Sequence, residues 1–297
     1  MVKRLVPGYL DPRRLHQRGH RGGAIGQHRS IRHLRLPTGR LLQGLAIALG
    51  FSALLALAQP AIAQAWNASL LWWLMAMGLP GQHLPAPLHE LGLAQGFWQG
   101  LWPGPWQGFW AMPVVVADLQ LPGNGPLNLA AHALVVVAVW LAAGWLPDAA
   151  RPGAYLLRLV VLVHAASLLY FAVWPASFAH SAASHVGGGL RQVWALMLLT
   201  PWIHFGTFYL FPFRAWQRIA LTAVTLAYLA VLGPLLYASH AALLAALGLV
   251  VMPVLHLLFG VLVPILGLVA LYGWGMGWHD PARPGDAQGA AALVAKP

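Results

Sequence analysis

Hydrophobic positions in this chain come in long unbroken runs, not in the alternation of a strand or the stripe of a soluble helix. The runs 41–63, 127–146, 156–174, 193–213 and 219–237 each supply about 20 residues, the length a helix needs to cross a hydrocarbon core of about 30 Å. A sixth run, 240–278, would be about 58 Å long as a straight helix, too long for one upright span and barely enough for two. The pattern predicts one long helix there, bent at Pro253 or Pro264, with a turn at Gly260 and a seventh span as the alternative. The expected fold class is an all-α integral membrane protein, a polytopic bundle of about six transmembrane helices at 127–278 and 41–63, with a Trp-rich interfacial outer loop.

Composition removes the competing classes. Hydrophobic residues make up 59% of the 297 and charged residues 8%, against roughly 25% charged in soluble domains. A soluble enzyme or a disordered chain would need far more polar surface. The absence of cysteine excludes thiolate nucleophiles, Cys-ligated zinc and iron–sulfur clusters. Ten of the 17 Lys and Arg lie within residues 1–40, so the net charge of +11 belongs to a basic arm and not to a nucleic-acid-binding domain. With that arm in the cytoplasm, every cation except Arg191 falls on the inner side of a six-span chain, as the positive-inside rule requires. The arm reads as a disordered topology signal able to attract anionic lipid headgroups. Residues 279–297 form a second cytoplasmic tail. Residues 41–57, followed by Gln59-Pro60-Ala61-Ile62-Ala63-Gln64, also look like a signal-peptide core with a small-residue cleavage site, but a 40-residue leader favours retention of 41–63 as an anchor.

The connection 64–126 carries no Lys or Arg. Its stretch 67–79 is apolar but too short to cross, so it is expected to lie in the interface. Trp98, Trp102, Trp106 and Trp110 then recur every fourth residue around Pro103 and Pro105, which forbid one continuous helix. Indole rings favour the membrane interface, so these four are read as anchors, with sugar stacking or acyl-chain gripping as alternatives. Glu90 and Asp118 are the candidate catalytic bases of this loop.

Histidine is the polar type placed repeatedly in the runs. His164 and His204 are expected at matching depths, where two helices could present both rings to one haem iron or metal. His132 is placed nearer the outer face and His256 nearer the inner one. The competing reading is interhelical hydrogen bonding, with Ser167, Thr200, Thr207 and Tyr209 available as partners. In the second outer loop, three glycines at 187–189 precede Arg191, and with His180 and His185 they could hold a lipid phosphate at a helix N-terminus. A snorkelling arginine beside a flexible linker is the alternative.

No Asp or Glu falls inside a run, and no P-loop, GxSxG or HExxH motif is present. These features favour a non-catalytic multi-pass inner-membrane protein, an accessory or assembly subunit docking a membrane-protein partner or lipid. The alternatives are a His-liganded haem or metal protein, and an envelope enzyme acting on a lipid-linked phosphate.

Overall fold

The computed structural model describes residues 38–79, 119, 121–208 and 213–278. Residues 1–43 and 44–297 form two separate units, and of the first only the opening of a helix is described. Every regular element among the described residues is helical. These are α1 (Thr38–Ala76), α2 (Pro126–Gly144), α3 (Arg151–Val173), α4 (Ala182–Phe208), α5 (Ala215–Leu247) and a composite helix over Leu249–Met276, here α6. Five of them, α1, α2, α3, α5 and α6, are long and apolar enough to cross a membrane. The fold is an all-α bundle of membrane-spanning helices.

Three element boundaries differ from the apolar runs. Residues 67–76 do not lie apart in an interface; they extend α1, which passes through Pro60 without ending. The reason is a helical stripe, Leu55, Ala63, Trp66, Leu70 and Leu74, that buries one face of α1 in the main core. Helix α4 begins at Ala182, about one and a half turns before the glycines 187–189, so most of the expected second outer loop is helix. This helix falls short of the hydropathy of the other five, yet Leu190, Val193, Trp194 and Met197 on it are almost wholly buried. A helix sheathed by protein can carry His, Arg, Gln and Gly where a lipid-facing one cannot. Trp194 on this helix is a core residue for the same reason.

The long run 240–278 is broken at Gly248, not at Gly260 or a proline. Gly248 sits at φ +82°, ψ −178°, a backbone conformation that only glycine enters readily, and its N–H caps α5 on the Leu244 carbonyl at 2.8 Å. Helix α5 therefore keeps His240, and the chain turns back into α6 directly. Helix α6 starts as a 3₁₀ turn (Leu249–Val251) and an α turn (Met252–Val254), widens to a π-helix over Leu255–Leu262, and ends as an α-helix over Val263–Met276. Ser167 on α3 donates to the Val250 carbonyl at 2.6 Å and pins the start of α6.

One further bond ties α1 to α5. Pro234 has no N–H, so the carbonyl of Ala230, four residues back, loses its helical donor. The Trp66 indole N–H donates to that carbonyl at 2.8 Å. An apolar interior with no water leaves a bare carbonyl costly, and the indole removes that cost. Trp66 also lies over Gly233, where an added Cβ would meet its ring at 3.3 Å.

Candidate functional site

The buried polar side chains gather in two islands at opposite ends of the bundle. The first lies at the end marked by Gly248. There His132 of α2 and His164 of α3 meet at 3.1 Å, and the other nitrogen of His132 lies 3.1 Å from the Leu247 carbonyl at the close of α5. Alongside, His185 of α4 and His240 of α5 meet at 3.1 Å with stacked rings. His256 of α6 lies edge-on to His185, with ring centroids 5.8 Å apart. Tyr237 is fully buried between them, and its ring occupies the space above Gly189 so closely that a Cβ there would lie inside it.

The His132 contacts fix its tautomer. A carbonyl can only accept, so the neutral ring carries its proton on Nε2 and donates to Leu247. Its Nδ1 is then a lone-pair acceptor, and His164 must donate to it from Nε2. The remaining nitrogen, His164 Nδ1, is an unprotonated acceptor that is buried and without a partner. His240 Nε2 and the Tyr237 hydroxyl are likewise buried without partners. A would-be Cβ on Gly260 would lie 3.0 Å from the Tyr237 hydroxyl oxygen and 3.7 Å from His240 Cε1, so both groups border the π-helical stretch.

The second island lies at the end marked by Arg214. His204 Nδ1 bonds Thr222 Oγ1 at 2.9 Å, and its ring stacks obliquely on Phe208. Gln217 accepts from the Arg214 N–H at 2.8 Å and donates to the Trp278 carbonyl at 2.9 Å, joining the start of α5 to the close of α6. Between the islands the fully buried side chains on α4 and α5 are apolar, among them Leu190, Val193, Trp194, Met197 and Leu229. Thr200 and Thr225 return their hydroxyls to carbonyls four residues back on their own helices.

The expected ligand pair is not brought together. His164 joins the His132–Leu247 group, and His204 joins Thr222. Leu247 and Thr222 are about 25 residues apart on α5, on the order of 37 Å at 1.5 Å per residue. One haem or metal cannot bridge that distance. The two rings do not share a depth because α3 begins at Arg151, not at residue 156, which carries His164 towards the far end. His256, expected near the inner end, shares its end with His185 for a parallel reason: the chain reverses at Gly248.

The phosphate-binding arrangement is not formed either. Residues 187–189 lie inside α4, where backbone N–H groups are taken by helical carbonyls, and no glycine nest precedes the helix. Arg191 Nε donates to the Gly187 carbonyl at 3.3 Å. His185 is buried while His180 is exposed against Phe178. Glu90, Asp118, Trp98, Trp102, Trp106 and Trp110, with the basic arm and the tail, lie outside the described residues.

Sequence reasoning missed the partnerships of His132, His240 and Tyr237. Partners more than 30 residues apart in sequence carry no local signal. Among the described residues no group of three or more His, Asp or Glu is gathered closely enough to hold a metal ion. The chain matches no family model, no curated protein and no solved structure.

Proposed function

We propose that this chain is a non-catalytic multi-pass protein of the inner membrane, an accessory or assembly subunit that docks a membrane-protein partner, with its basic N-terminal arm in the cytoplasm. The observation that carries the reading is the divided interior. Two islands of buried polar groups, imidazoles and hydroxyls with Gln217 and Arg218 in the second, are separated by a packed apolar layer, and among the described residues the buried polar ones include no carboxylate. A proton pump or transporter needs a polar path between its faces, and a hydrolase needs an acid or base beside an anion site. Neither is favoured by this arrangement. Helix α2 supports the docking role: His132 and Ala143 are its buried residues, and apart from the side that packs on α3 and the partly buried Leu129, its apolar surface is open to lipid or to another span.

The test is purification of the full chain from native membranes in a mild detergent, followed by reconstitution. A stoichiometric membrane-protein partner, with no ion or substrate flux from the chain alone, is the expected result. Flux through vesicles holding only this chain, or hydrolysis of a lipid-linked phosphate by it, overturns the reading.

A further inference from the structure

We propose that His132 and His164 form a two-coordinate site for Cu(I), the ion taking the place of the hydrogen bond the two rings share.

Three observations lead to this assignment. The rings already face each other nitrogen to nitrogen at 3.1 Å, with centroids 5.1 Å apart. The lone pair on His132 Nδ1 is directed at its partner because the Leu247 carbonyl holds the proton on Nε2. A ligating histidine characteristically donates its second N–H to a backbone carbonyl, and here that support exists before any metal arrives. Opposite it, the buried and unpartnered His164 Nδ1 is an atom that can receive a proton.

The binding step balances simply. The His164 Nε2–H bond breaks and its proton passes to His164 Nδ1. Two Cu–N bonds form, from His132 Nδ1 and His164 Nε2. Both imidazoles stay neutral, the ion keeps its single charge, and no electron moves.

The chemistry selects the ion. Two imidazoles leave Zn(II) short of the four ligands it takes, and Mg(II) or Ca(II) demand oxygen donors. The single acid among the described residues, Asp148, is exposed and paired with Arg151 at 2.8 Å, so no carboxylate offsets a double charge here. A monovalent ion that accepts two in-line nitrogen donors fits both constraints. Widening the nitrogen gap to admit it requires a small outward shift of α2, the helix with the fewest buried residues of the long spans. The His185–His240 pair has the same separation, but it lies in the core beside the fully buried Tyr237 and has no such freedom.

The test uses the untagged full chain in detergent, reduced and anaerobic, titrated with Cu(I) against bathocuproine disulfonate. One equivalent should resist the chelator and be held at least tenfold more weakly by His132→Gln and His164→Gln, while His185→Gln and His240→Gln retain it. X-ray absorption of the wild-type complex should show two nitrogen donors, a readout that survives even if a variant misfolds. Absence of chelator-resistant copper, its persistence in both His132→Gln and His164→Gln, its loss in the His185 and His240 variants instead, or a three- or four-donor absorption spectrum would each overturn the assignment. The partner search described above does not depend on copper, so either result can fail alone.

Discussion

The Trp66 indole on α1 donates to the Ala230 carbonyl on α5 at 2.8 Å, the carbonyl that Pro234 leaves without a helical donor. A proline that would otherwise weaken α5 thus becomes the attachment point for α1.

Trp66→Phe should therefore lower stability by about 1–2 kcal/mol, the cost of leaving a buried carbonyl unpaired. Pro234→Ala restores an N–H within α5, and in that background the Trp66→Phe penalty should shrink by about 1 kcal/mol. A double-mutant cycle on detergent unfolding midpoints checks this; strictly additive penalties would refute the coupling.

Gly189→Ala places a methyl group inside the Tyr237 ring, and overpacking of this kind costs about 1–3 kcal/mol. Gly188→Ala meets nothing within 4 Å and should be neutral or stabilising, since alanine favours helix. Thermal melts of the two variants side by side distinguish a packing requirement at one position from a general need for glycine in α4.

His132→Ala removes the donor to Leu247 and the acceptor for His164 together. The expected loss is about 1–2 kcal/mol. His132→Asn offers a shorter amide and should recover part of it. Equal melting of the wild type and His132→Ala would show that neither bond matters to the fold.

The chain contains no cysteine, so single cysteines report cleanly on orientation. With the N-terminus inside, Ala176→Cys, exposed between α3 and α4, should react with an impermeant maleimide applied to intact cells. Ala149→Cys, exposed between α2 and α3, should react only after permeabilisation. The reverse pattern would invert the whole topology.

The helical membrane class was readable from apolar runs because lipid imposes a minimum length on every span it surrounds. Helix α2 obeys that rule and was placed within two residues at each end. Helix α4 did not, because protein covers its first 17 residues, 182–198: His185, Arg191 and the glycines read as loop residues although they lie on buried or half-buried turns. The turn at Gly248 was invisible for the opposite reason, being flanked by apolar residues on both sides and marked only by a positive φ. The histidines were recognised as the chemical feature of the chain, but their pairing depends on which ends of α2, α3, α4 and α5 coincide. Hydropathy does not encode that.

The Trp66–Ala230 bond spans 164 residues of sequence. If insertion proceeds in chain order, α1 enters the bilayer long before its acceptor has been synthesised. Until then the indole lacks its Ala230 acceptor, and when α5 arrives, its bare carbonyl has a donor already waiting. Assembly of the first and fifth helices is thereby a late event, and a ribosome stalled before residue 230 should leave α1 exchangeable with any neighbouring helix that offers an unpaired carbonyl.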